Sequence, residues 1–154
     1  MVGNRACWQE DMDTLSTEQR SWNMSRIKGC NTGPERIVRS ILHRMGYRFR
    51  LYRKDLPGKP DITLPKHKTV VFVHGCFWHR HKGCKDATMP KTRRIFWQNK
   101  LQSNAARDRI KQRSIRHLGW RVIIVWECET KMQAKLVSRL SRLLIAANYP
   151  ESCR

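Results

Sequence analysis

The sequence predicts an α/β domain in which a mixed β-sheet is flanked by helices. Two aliphatic runs of strand length, TVVFV at 69–73 and RVIIVW at 121–126, read as buried strands. Two other segments, 33–46 and 131–147, repeat apolar residues at helical spacing. Along the chain the elements alternate as α-β-β-β-α-β-α, the order expected of a sheet covered by helices.

The elements follow in order. Residues 1–15 form a loose polar leader. The stretch STEQRSWNMSRIKG reads as a short helix that Ser16 or Thr17 can cap and Gly29 can end. Its apolar content is thin (Trp22, Met24, Ile27), so it reads equally as an arm along a polyanion or as a tail. GPERIVRSILHRMG is a stronger helix: Pro34 suits the first turn, Ile37, Val38, Ile41, Leu42 and Met45 share a face, and Gly46 closes it. YRFRLY alternates as a strand with Tyr47, Phe49 and Leu51 on one side. LPGKP is a turn, and DITL pairs with TVVFV as a hairpin. A loop at 74–91 leads to a long basic helical stretch, one helix or two, ending at Gly119. WRVIIVW is read as a central strand whose flanking Trp120 and Trp126 are core. An amphipathic helix closes the chain before a tail at 149–154.

The 154 residues suit one domain with one core, placed at 16–148. A formal charge of +20 points to a polyanionic partner, nucleic acid first. No apolar run has bilayer or signal-peptide length, so a cytoplasmic, non-membrane protein is expected. Six cysteines in a reducing compartment argue for metal ligands and free thiols rather than disulfides.

The segment HGCFWHRHKGC, residues 74–84, holds three histidines and two cysteines. Cys76, His81 and Cys84 form C-x4-H-x2-C, and Cys128 follows the last strand. Together they make a complete Cys3His set for structural Zn2+. Zinc would also order a loop with little apolar content of its own. Cys7, Cys30 and Cys153 are read as free thiols. His74 and His79 remain available for acid–base work at neutral pH. Asp61, in LPGKPDITL, opens the first hairpin strand as His74 closes the second, so the turn between brings them together. A Pro-Asp at a strand entry is the mark of the restriction-endonuclease-like fold, whose next strand carries Glu-x-Lys. Here that strand reads Phe72-Val73-His74, without the acid or the lysine. Asp61 is then the main carboxylate for Mg2+, with a backbone carbonyl such as that of Val73 beside it. Glu35 is a second candidate acid. Its first-turn position equally makes it a helix-dipole partner, worth below about 1 kcal/mol.

LPGKPDI, VVFVHGCFWHRHKGC, KTRRIFWQNKLQSNAARDR and LGWRVIIVWEC together resemble the Vsr family of very-short-patch-repair DNA mismatch endonucleases, from Trp22 to Cys128. Gly83 stands as an extra residue before the second loop cysteine. Arg80 and Lys82 stand where members often carry histidines. The resemblance implies nicking on the 5′ side of the thymine in a T·G mismatch left by deaminated 5-methylcytosine, in a particular sequence context. It implies Mg2+ on Asp61 and Val73, and His79 as general base. His74 would orient a water on the metal or the phosphate, Asp108 would support a histidine, and Zn2+ would sit on Cys76, His81, Cys84 and Cys128. Phe77, Trp78 and Trp97 resemble a wedge inserted beside the mismatch, since apolar side chains kink DNA where stacking is weak. Arg93, Arg94, Lys100, Arg107, Arg109 and Lys111 are basic positions of the long helix, and most are read as phosphate contacts. The implied partner is double-stranded DNA bound by a monomer at the bacterial nucleoid, its N-terminal helix touching DNA, with MutL-type mismatch-repair proteins as further candidates. Two other readings stay open: a non-catalytic zinc-containing DNA-binding module, which leaves Asp61, His74 and His79 without a role, and a T·G-specific glycosylase, which would release a base without a divalent metal.

Overall fold

The computed structural model describes residues 29–145 together with Ser16, Glu18, Gln19, Trp22, Ser25 and Arg26. The predicted leader, the tail, Met24 and Ile27 lie outside the described residues. At the start of the N-terminal segment, Ser16 and Gln19 exchange backbone and side-chain hydrogen bonds as the sequence predicts for a capped helix start.

Three helices and four strands follow: α1 (Gly33–Arg44), β1 (Arg50–Leu51), β2 (Ile62–Leu64), β3 (Thr69–His74), α2 (Arg94–His117), β4 (Arg121–Trp126) and α3 (Gln133–Ile145). The sheet order is β1-β2-β3-β4. The first three strands are antiparallel, and β4 runs parallel to β3. A parallel partner needs a crossover, and the 75–93 loop with α2 supplies it. β4 therefore lies at the edge of the described sheet and β3 is internal, which corrects the expectation that WRVIIVW is central.

β1 is shorter than the predicted strand. Tyr47 and Phe49 still pack on the core, but the ladder is only Arg50↔Thr63 and Leu51↔Ile62, because β2 offers three residues and Tyr52 turns the chain away at φ 48°. The basic stretch is a single 24-residue helix.

The period-two alternation of β3 decides what each face meets. Val71 joins Ile62, Leu64, Ile123 and Val125 against Val38, Ile41 and Leu42 of α1 and Leu136, Leu140 and Leu144 of α3. Val70 and Phe72 face the other way and pack with Leu56 and with Ile115 of α2. His74 continues this second row at the strand's end. A buried histidine thus points toward α2, not into the main core.

Candidate active site and metal centre

α2 is mostly solvent-exposed, with only Leu101 and Ile115 buried. Asn104, Asp108, Lys111 and Gln112 lie at helical spacing between those two anchors, and all four line a cleft of about 1200 Å³. The same cleft is lined by Asp61, Val73, His74, Gly75, Trp78 and His79.

After β3 the chain makes consecutive tight turns. The His79 N–H donates to the Gly75 carbonyl (3.2 Å) and the His81 N–H to that of Cys76 (3.0 Å). Gly75 suits the close packing here: a Cβ would stand 3.3 Å from the Trp78 ring, tighter than ordinary contact. Arg80, at φ 53°, reverses the chain between His79 and His81, so the two histidines serve different clusters.

His79, His74 and Asp108 form the first cluster. The His79 and His74 rings are stacked, centroids 3.9 Å apart and planes 11° apart. His79 Nδ1 lies 2.5 Å from Asp108 Oδ2. An acceptor at Nδ1 places the proton there and leaves the Nε2 lone pair free. Burial would raise the Asp108 carboxyl, but the hydrogen bond from His79 and the charges of His79, His74 and Lys111 outweigh it and hold it below its ordinary range. Burial, reinforced by His79, pushes His74 down to about 4, so its imidazole is neutral at pH 7.

Asp61 stands just before β2. Its Oδ2 accepts the Val73 N–H at 2.8 Å, which fixes the carboxylate against β3 at the residue whose carbonyl the sequence singled out. Burial, the largest influence, and the charge of Glu35 push the Asp61 carboxyl up to about 6 against the pull of the Val73 hydrogen bond, Arg39 and His79. A half-buried carboxyl so raised is a group that a cation would stabilise. Asp61 is therefore the carboxylate of the cleft that a hard divalent cation would suit.

Glu35 is buried, and it is more than a dipole partner. Its side chain and Thr32 form a capping box. Its Oε2 accepts from the Tyr52 hydroxyl (2.6 Å), Arg39 (2.6 Å) and the Asn31 N–H (3.0 Å). Burial would raise this carboxyl, and the bonds from Tyr52, Thr32 and Asn31 outweigh it, leaving it lowered. Thr32-x-x-Glu35 was a capping signal in the sequence; the partnership with Tyr52 had none, since it depends on where β1 ends.

Cys76, His81, Cys84 and Cys128 form the second cluster, their ligand atoms all within 4.8 Å of one another. His81 Nδ1 is 3.6 Å from Cys76 Sγ and 3.4 Å from Cys128 Sγ. A tetrahedral site with ordinary Zn–S and Zn–N lengths has S···N edges of about 3.5–3.6 Å, so the set fits zinc. Burial and the neighbouring thiols push Cys76 up to about 12; a divalent cation supplies the charge its thiolate needs. Cys30 is exposed and outside the cluster, while Cys7 and Cys153 lie outside the described residues.

Trp126 separates the clusters, stacked on His81 (4.2 Å, 6°) and edge-on to His74 (5.4 Å). This corrects its reading as plain core, because its Cα partner in the parallel ladder is His74. Trp120 does pack on the smaller core.

Phe77, Trp78 and Trp97 meet as one half-buried aromatic group, with centroids 5.1–6.1 Å apart. The Trp78 carbonyl accepts from Asn104, which ties the group to the His79–Asp108 side of α2. Phe96 and Ile95 extend it into solvent; both escaped the sequence reading. Arg93, just before α2, and Arg94, Lys100 and Arg107 on it are all exposed, Arg93 lying over the Phe96 ring and Arg107 bonded to Asn104. Among the described residues no helix is long and apolar enough to cross a membrane.

Residues 12–86 match the protein family described as DNA mismatch endonuclease Vsr. The type II nicking enzyme V.XorIIP of Xanthomonas oryzae is 49% identical over 132 residues, 86% of this chain and 96% of the relative. The type II nicking enzyme V.NmeAIP of Neisseria meningitidis is 43% identical over 132 residues, 86% of this chain and 94% of the relative. The DNA mismatch endonuclease Vsr of Escherichia coli is 42% identical over 124 residues, 80% of this chain and 79% of the relative.

Proposed function

Because the chain belongs to the Vsr family of DNA mismatch endonucleases, we propose that its cleft hydrolyses one phosphodiester bond of duplex DNA on the 5′ side of the thymine in a T·G mismatch. The observation that carries this is the convergence, in one cleft, of the Asp61 carboxylate on the Val73 peptide and the His79–Asp108 pair.

Hydrolysis needs an in-line water, charge stabilisation at phosphorus and a proton for the leaving oxygen. Asp61 and the Val73 carbonyl are the groups that would hold Mg2+. When bound, the ion lowers the pKa of water and neutralises phosphate charge. Asp108 fixes the His79 tautomer, so that Nε2 takes a proton from the attacking water. Such general base catalysis is worth about 10²–10⁴-fold. His74, neutral and stacked on His79, buttresses that ring and offers a hydrogen bond to water or phosphate. Zn2+ on Cys76, His81, Cys84 and Cys128 would be structural, since four protein ligands leave no open position.

Phe77, Trp78 and Trp97 would enter the stack where the mismatch has weakened it, giving selectivity that does not depend on reading every base edge. Arg93, Arg94, Lys100 and Arg107 would hold the backbone. In this reading residues 16–148 act as one domain, as a monomer on the bacterial chromosome in the cytoplasm. A MutL-type mismatch-repair protein is the candidate protein partner.

The test is a labelled duplex with a T·G pair in varied flanking sequence, with T·A as control. Magnesium-dependent nicking 5′ to the mismatched T is expected. Release of a free base, or binding without strand scission across the panel, refutes the proposal.

A further inference from the structure

We infer that Lys111 is a phosphate-binding residue of the cleft, supplying from α2 the positive charge that β3 does not carry. The inference rests on the nuclease reading above and deepens it. β3 offers Phe72-Val73-His74 where the fold's usual pattern places an acid and a lysine. Phosphoryl chemistry still gains from a cation beside the reacting oxygens.

Lys111 lies one helical turn after Asp108 and one turn before buried Ile115, so it shares the cleft-facing side of α2. Two contacts from the 54–60 turn fix it there. Leu56 packs with Ile115 in the smaller core and anchors the turn against α2. Gly58 then lies across the lysine stem: a Cβ on Gly58 would stand 2.9 Å from Lys111 Cδ, 3.0 Å from Cβ and 3.1 Å from Cγ. Its φ of +75° is a second reason for glycine. The stem is therefore confined on one side by backbone.

The charge of Lys111 acts on both His74 and Asp108, which places it within electrostatic reach of the acid–base cluster. Its ammonium has no hydrogen bond or ion pair among the described residues, and it is exposed, open to an incoming ligand. A lysine ammonium is a compact point charge with three donors, suited to a phosphate oxygen.

The experiment measures single-turnover nicking of a T·G duplex at saturating protein, with duplex affinity measured in parallel. Lys111→Ala and Lys111→Gln are expected to nick about 10- to 100-fold more slowly, at or below the loss from removing one preorganised donor. Affinity should change less than about threefold, as for one lost phosphate contact. Added methylammonium should partly restore Lys111→Ala in a saturable way, which a structural role would not allow. Arg113→Ala removes the same charge from an exposed position two residues on, away from the cleft, and should keep the wild-type rate. Lys111→Ala at wild-type rate, a loss seen only in affinity, an equal rate loss in Arg113→Ala, or no rescue by the amine would each overturn the role of Lys111. A wild-type protein that leaves every T·G duplex intact would overturn the nuclease reading, and the role of Lys111 with it.

Discussion

His79 and Asp108 are 29 residues apart in sequence, and the imidazole Nδ1 of one lies 2.5 Å from a carboxylate oxygen of the other. The pair is only partly exposed, with 27% and 17% of the two side-chain surfaces accessible. Asp108 is a positioning residue that acts through the histidine tautomer.

Asp108→Asn should therefore slow single-turnover nicking by roughly 10²- to 10⁴-fold with duplex affinity kept, as for loss of the acid that orients a catalytic histidine. His79→Ala should lose as much, and the double variant little more, because the two act as one unit. Additive losses, or a His79→Ala variant near the wild-type rate across pH 6–8, would refute the pairing.

Asp61→Asn should abolish nicking and stabilise the protein without added divalent cation. Burial lifts the folded pKa to about 6, above the ordinary carboxylate range. Below the unfolded pKa both states are protonated and the substitution gains nothing. As the pH rises toward and through 6, the folded state must carry a poorly compensated charge. The gain should grow over that window to roughly 1–3 kcal/mol by pH 7–8. Thermal melts at pH 4 and pH 8 check it: an equal difference at both, or destabilisation at pH 8, removes the assignment.

Glu35 has the opposite sign. Its carboxyl is lowered in the folded state, so it stabilises above the unfolded pKa, and that contribution is lost as the pH falls through the folded pKa. Tyr52→Phe removes the hydroxyl bonded to it, at a cost of about 1.5–3 kcal/mol for a hydrogen bond to a charged group. Denaturant melts at pH 7 should show the loss, and it should shrink under acid. A Tyr52→Phe protein of wild-type stability at pH 7 would show that Arg39 and the cap suffice.

Elemental analysis should find one zinc per chain. Cys128→Ser should lose it together with thermal stability, since Cys128 joins β4 to the 74–84 loop through His81. Cys30→Ser, outside the cluster, should keep it. A folded, active protein without zinc would overturn the site.

Trp78→Ala should narrow the affinity gap between T·G and T·A duplexes and leave the slope of log affinity against log salt unchanged. Stacking is worth about 1–3 kcal/mol per aromatic, whereas the salt dependence comes from lysine and arginine. An equal loss on both duplexes, or unfolding, would make the ring a packing residue.

The sequence by itself determined what depends on short spacing. The element order, C-x4-H-x2-C, the Pro-Asp strand entry and the turn pairing β2 with β3 are local, and hydrophobic period and ligand spacing report local geometry directly. The tertiary structure decided what depends on register and crossover. The parallel pairing of β3 with β4 sets Trp126 opposite His74 and makes it the wall between two clusters rather than core. The return of α2 over the sheet, anchored by Leu101 and Ile115, brings Asp108 to His79 and Lys111 into the cleft. By pattern alone these two polar residues look like any others of a solvated basic helix; only the family resemblance singles out Asp108. Only the anchors at either end say which face turns inward, and Ile115 is buried against Leu56, Val70 and Phe72, all distant in sequence. Glu35 follows the same logic: its cap is written in four consecutive residues, while its bond to Tyr52 exists because β1 stops where β2 runs out of partners.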